Sequence, residues 1–181
     1  MSLSLEKGNK SYPPSNIQVF LRDGNKTVGE LNGYRVNVEV SGGVDGSECY
    51  EEIYELMERY PELIDRYGHP RIAEVYQSDI VKDYRGQGFG TQMYIEFIRR
   101  FWDEESSGKP FILIPNGCNL MMEGSNTEDS MRVWESLGRK FPSAGSDWNT
   151  CIAVLKKPAS INMAQRVASK YMTRISPTRY Q

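Results

Sequence analysis

The chain has 181 residues, long enough for one well-buried domain and marginal for two. Its 22 basic and 24 acidic residues nearly cancel, so the overall field favours neither nucleic acid nor a membrane surface. Three scattered cysteines (Cys49, Cys118 and Cys151) and one histidine (His69) argue against a disulfide framework or a zinc site and fit a reducing cytoplasm.

Residues 1–16 are polar, contain Pro13-Pro14, lack the apolar core of a signal peptide and are expected to be a flexible segment. Strand-like runs at 17–21 and 27–31 flank Asp23-Gly24-Asn25, a hairpin signal. Residues 34–40 alternate strictly and predict a third strand, and Gly42-Gly43 and Gly46 predict a loop. Tyr50, Ile53, Tyr54, Met57 and Tyr60 recur at helical spacing. Pro61 should end that helix, leaving a short second one to Tyr67. Residues 45–66 carry eight acidic and two basic side chains, which read as a solvated face or as an acidic wall for a cationic acceptor. Residues 72–81 read as a buried strand, and 111–114 as a short central strand covered on both faces. A helix fits 128–137, capped by Asn126 or Thr127 and ended by Gly138. Residues 150–155 predict a last strand, and 162–172 a weakly amphipathic helix. The main domain is thus expected at 17–158, followed by a basic helix and tail at 159–181.

The most informative stretch is 80–102. A strand end leads into Arg85-Gly86-Gln87-Gly88-Phe89-Gly90, and a helix follows with Met93, Ile95, Phe97, Ile98 and Phe101 as its apolar positions. The first amides of a helix have no intrahelical partner, the helix dipole adds positive potential there, and glycines let an anion approach the backbone. This predicts a pyrophosphate site. It is no Walker A loop, because no Gly-Lys-Ser/Thr follows, and its glycine spacing does not fit a dinucleotide fingerprint.

The run Ile80-Val81-Lys82-Asp83-Tyr84-Arg85-Gly86-Gln87-Gly88-Phe89-Gly90-Thr91 resembles the acetyl-CoA signature of the GNAT superfamily of N-acetyltransferases, R/Q-x-x-G-x-G/A after a strand. The strand at 111–114 and the helix ending Trp134-Glu135-Ser136-Leu137-Gly138 are similar to the family's second block, so the resemblance covers residues 72–155. It implies an α+β fold: one GNAT-like domain with a central mixed, mostly antiparallel twisted sheet of six or seven strands, flanked by helices. A splayed strand pair would hold the cofactor. The hairpin ahead of the acidic helices departs from the family's usual order.

Acetyl-CoA would be the donor, with no metal. The resemblance implies that Arg85, Gln87, Gly88, Phe89, Gly90 and Thr91 surround its pyrophosphate. Ser78 and Ile80 would offer main-chain hydrogen bonds to pantetheine, and Asn126, Thr127 and Ser130 lie where the family often contacts CoA. The reaction implied is direct attack of a primary amine on the thioester, which needs a base. Glu74 stands at a position similar to the carboxylate base of histone-type members, and Asp79 is the second candidate. Many members place a tyrosine four residues before the glycine of the last helix, to protonate the departing thiolate. Trp134 stands there in this chain, and Tyr76 and Tyr94 are the substitute candidates.

The acceptor implied is a small molecule or protein carrying an amine, with a cation favoured if the acidic helices line its groove. The tail from Lys156 onward has six basic residues and no acidic one. It reads as a solvated terminus, with CoA phosphates, a partner subunit in a homodimer, or nucleic acid as alternatives. The leading reading is a cytoplasmic acetyl-CoA-dependent N-acetyltransferase. The others are a CoA-binding module without transfer and a GNAT-like enzyme acting on nucleic acid.

Overall fold

The computed structural model describes residues 3–8, 16–36, 48–115, 128–141 and 152–157. Six strands form one sheet in chain order: β1 (Leu3–Lys7), β2 (Ile17–Asp23), β3 (Lys26–Val36), β4 (Ile72–Ile80), β5 (Phe111–Pro115) and β6 (Ile152–Val154). Every neighbouring pair is antiparallel except β4 and β5, which are parallel. Among the described residues three helices flank the sheet, giving an α+β domain: α1 (Glu48–Arg59), α2 (Phe89–Glu104) and α3 (Glu128–Lys140). This is the mixed, mostly antiparallel sheet flanked by helices that the sequence leads one to expect. The helix at 162–172 and the basic tail at 159–181 lie outside the described residues.

The hairpin forms where Asp-Gly predicts it. Asp23 pairs with Lys26 across Gly24 and Asn25, and Gly24 takes φ 56°. The strand that follows corrects the sequence reading. Residues 27–31 and 34–36 are one continuous strand, and Gly33 lies inside it rather than at a break. The reason is close packing. A Cβ on Gly33 would sit 2.4 Å from the Glu74 carbonyl oxygen and 2.6 Å from the Phe97 ring. Gly29 is a milder case, with 3.2 Å to Ile80, Leu21 and Met93. The glycines let α2 settle onto the sheet.

Residues 3–7 are a second correction. They form an edge strand against β2 rather than part of a flexible segment. Leu3 and Leu5 rest on the core, and Lys7 pairs with Glu104 at 2.7 Å. The predicted second helix after Pro61 shrinks to a 3-10 turn, Pro61–Leu63. The chain then turns because the Asp65 carboxylate accepts from the amides of Tyr67 (2.8 Å) and His69 (3.0 Å). At the other end α3 runs past Gly138 to Lys140, because Leu137 and Phe141, both buried, continue its apolar face.

One face of the sheet packs α2 and α3 through Ile17, Val19, Leu31, Ala73, Val75, Phe97, Phe101 and Trp134. The other packs α1 through Ile53, Leu56, Leu63, Ile72, Ile112 and Ile114. Phe101 stacks tilted on Phe111 with centroids 4.5 Å apart. A buried ion pair also fastens α2 to the sheet. Glu96 and Arg100 lie 2.6 Å apart, and Arg100 Nη1 donates to the Gln18 carbonyl at 2.8 Å. Burial pushes the Glu96 carboxyl up, but hydrogen bonds from Arg99 and Arg100 outweigh it and hold the group below the usual range.

Replacing Gly33 with Ala should destabilise the fold by about 1–3 kcal/mol, the usual cost of overpacking. Gly29→Ala should cost less. Urea midpoints of the two variants against wild type check this.

Candidate active site

The site is built on β4 and the turn after it. β4 pairs with β5 only from Ile72 to Val75. From Tyr76 onward it has no partner on that side among the described residues. On the β3 side the register skips Tyr76: Gly33 faces Val75, while Asn32 faces Gln77. The extra residue is a β-bulge, and it reverses the faces of the strand. Glu74 and Ser78 are four residues apart and would share a face in a regular strand. Here Glu74 faces away from α2, and Ser78 meets Tyr94 of α2.

The turn is held at several points. Val81 N–H bonds to the Val28 carbonyl (2.9 Å), a 3-10 turn follows at Lys82–Tyr84, and the Tyr84 hydroxyl donates to Asp23 Oδ2 at 2.7 Å. Arg85 Nε donates to the Ile80 carbonyl at 2.7 Å, and the guanidinium pairs with Asp79 at 3.3 Å. Gln87 Nε2 donates to the Asp83 carbonyl at 3.1 Å. Gly86 and Gly88 take φ 71° and 81°, and a Cβ on either would project into open space.

α2 opens at Phe89 with Gly88 as an N-cap that offers no side chain, and its first turn carries no acidic residue. Backbone bonding begins with Gln92 N–H on the Gly88 carbonyl at 3.2 Å, leaving the amides of Phe89, Gly90 and Thr91 ahead of it. α3 abuts this turn, since a Cβ on Gly90 would lie 2.9 Å from Val133. The cleft between them has a volume of about 420 Å³.

Of the residues anticipated for the donor, Ser78, Ile80, Arg85, Gly88, Phe89, Gly90, Thr91 and Ser130 line this cleft. Gln87 does not, and its side chain braces the turn instead. Asn126 lies outside the described residues. Asp79 lines the cleft beside Arg85 and is far along the strand from Glu74, so the structure does not unite the two base candidates. The cleft adds Tyr94, Asp129, Arg132 and Val133. Asp129 lies 3.9 Å from Arg132, which also pairs with Glu128, so each cleft carboxylate has an arginine beside it. An uncapped helix start, left-handed glycines with free space and matched rim charges fit a pyrophosphate.

Across the sheet lies a polar cluster. Glu74 is 8 % exposed and accepts from the Tyr34 hydroxyl at 2.8 Å. Tyr76 packs on Tyr34 with centroids 5.7 Å apart, and its hydroxyl accepts from Asn16 Nδ2 at 3.1 Å. Tyr76 is therefore on the Glu74 side, away from the cleft. Burial, then the hydrogen bond to Glu74, pushes the Tyr34 phenol up to about 12. Tyr94 is also pushed up to about 12 by burial, against an opposing hydrogen bond from Ser78. Trp134 is buried and meets the Tyr94 ring edge-on at 5.7 Å. The sequence signal for Tyr94 was its place one turn after Gly90, on the same buried side of α2 as Phe97 and Phe101.

No family model matches the chain, and no curated protein does. Among solved structures it is similar to the ribosomal-protein-alanine N-acetyltransferase from Brucella melitensis biovar Abortus 2308, at 17% identity and a TM-score of 0.40. The similarity covers 70% of this chain, which spans 65% of the length of that one.

Folding holds Tyr34 and Tyr94 as neutral phenols, with both raised to about 12 from 10.0. A raised phenol contributes stability in full below the unfolded value and loses it as pH climbs through the folded one. Stability should therefore fall between about pH 10 and 12. Tyr94 accounts for up to about 3 kcal/mol of that fall, and Tyr94→Phe should flatten it. Urea unfolding across this range, with phenolate absorbance followed in parallel, measures the effect.

Proposed function

We propose that the chain is an acetyl-CoA-dependent N-acetyltransferase that passes an acetyl group directly to a primary amine. The observation that carries this reading is the bulged strand β4. Its Ser78–Ile80 end lines the cleft with the glycine turn, Glu74 lies on the other face, and among the described residues nothing pairs with its β5-side edge from Tyr76 onward. Donor and acceptor can therefore meet at one strand from two sides.

Acetyl-CoA supplies an activated acyl group with a thiolate leaving group. The amides of Phe89, Gly90 and Thr91 and the Gly86 and Gly88 backbone bind its pyrophosphate. Arg85 chiefly shapes the turn, because its guanidinium is already engaged by Ile80 and Asp79. The part of β4 beyond its described pairing with β5 offers backbone amides to the thioester oxygen as charge collects there. Glu74 takes the proton that the amine nitrogen gives up as the C–N bond forms, directly or through water. Tyr34 holds the carboxylate in place from the other side.

The C–S bond breaks as the amide forms, and the sulfur leaves as a thiolate, which its moderate acidity permits. Trp134 has no acidic hydroxyl for that sulfur, and Tyr76 is on the wrong face. Of the phenols lining the cleft, Tyr84 donates to Asp23, while Tyr94 accepts from Ser78 and keeps its own O–H for a donor role. A phenol raised to about 12 stays protonated at neutral pH and acts as a hydrogen-bond donor.

Two measurements test this. Acetyl-CoA should bind in calorimetry, and Gly88→Val, a side chain forced into the turn at φ 81°, should weaken it by about tenfold or more. An affinity unmoved by that change overturns the pyrophosphate site. Glu74→Gln should lower kcat by about 10²–10⁴-fold, the usual share of a general base, while donor affinity stays. Unchanged turnover removes Glu74 from the mechanism. Trp134 motivates a second reading, a CoA-binding module without transfer, which predicts tight acetyl-CoA binding and no thiol release with any amine.

A further inference from the structure

The face of the sheet that carries Glu74 continues along β3 as a row of hydrogen-bond acceptors. Gly33 turns toward Phe97, so its neighbours Asn32 and Tyr34 point the other way, to the Glu74 side. Asn32 Nδ2 donates to Glu30 Oε1 at 2.6 Å and to Gln77 Oε1 at 3.1 Å. A carboxylate accepts only, so the amide nitrogen is the group that meets Glu30, and the amide oxygen is left for another donor. That oxygen, Asn32 Oδ1, is buried without a hydrogen-bond partner, in a residue only 2 % exposed. A buried acceptor left unmade is costly, and in native proteins such a group is expected to have a use. Among the described residues no basic side chain pairs with Glu30.

We propose that Glu30, Asn32 and Gln77 form a second acceptor subsite for a cationic nitrogen, so that the preferred substrate is a short diamine or polyamine rather than a monoamine. This rests on the transferase reading and names its substrate class. A compact ammonium brings three N–H donors and a positive charge. Asn32 Oδ1 and the Glu30 carboxylate take both. The subsite stands two residues along β3 from Tyr34, the partner of Glu74, which is about 7 Å. A second nitrogen bound there holds the first beside Glu74. The charge also matches, with a carboxylate at each nitrogen.

The test compares diaminobutane with butylamine as acceptors. With wild-type enzyme kcat/KM should favour the diamine by tenfold or more, mainly through KM. Glu30→Gln and Asn32→Leu should each bring the ratio toward one, and thermal melts confirm folding. Equal kcat/KM for the two amines, or a preference that survives both substitutions, overturns the subsite. If acetyl-CoA binds but no amine is acetylated, the transferase reading has failed. Calorimetry then decides the subsite separately: tighter binding of diaminobutane than butylamine, lost in Glu30→Gln, supports it, and equal binding ends it.

Discussion

The domain depends on how closely α2 can approach the sheet. At Gly33 the Phe97 ring occupies the space where any side chain would begin, 2.6 Å from an ideal Cβ. That contact fixes the height of α2 above β3 and β4. Phe97, Phe101 and Phe111 then fill the layer as a tilted aromatic stack. The Glu96–Arg100 pair, anchored on the Gln18 carbonyl, fixes where α2 lies along the sheet. Such a pair sets geometry more than it adds stability, because burying both charges offsets much of their attraction. With height and position fixed, the start of α2 is delivered to the end of β4, beside the glycine turn.

The second constraint is the bulge at Tyr76. Alternation alone would place Glu74 and Ser78 on one side, and the carboxylate would then share the cleft with the glycine turn. One extra residue separates them. The same bulge lies where the described pairing with β5 ends, so the strand changes faces at the point where that pairing stops. Glu74, the bulge and the lead into the glycine turn are successive parts of one nine-residue strand and the loop that follows it.

Much of this was legible in the sequence, and the parts that were not share a cause. The glycine turn, the hairpin, β4, α2 and β5 are set by local signals: glycines at left-handed positions, Asp-Gly between extended runs, and apolar spacing. What local signals cannot convey is a distant neighbour. Gly33 reads as a strand breaker and is in fact a contact with Phe97, far along the chain. Leu3 and Leu5 sit in a polar segment and form a strand only because β2 offers an edge. Gly138 reads as a helix stop and is overridden by the packing of Leu137 and Phe141. A bulge leaves no periodic trace, so the two faces of β4 could not be separated, and Tyr76 looked as well placed as Tyr94. The glycine turn was therefore readable residue by residue, while the Glu74 face was not.

The bond from Tyr84 to Asp23 has a wider meaning than its 2.7 Å length suggests. It joins the glycine turn to the tip of a hairpin that is 61 residues away in sequence. With Val81 on Val28 and Arg85 on Ile80, it makes the turn a braced frame rather than a loop. A frame held this way loses little backbone entropy on meeting any ligand, because its bonds have already ordered it.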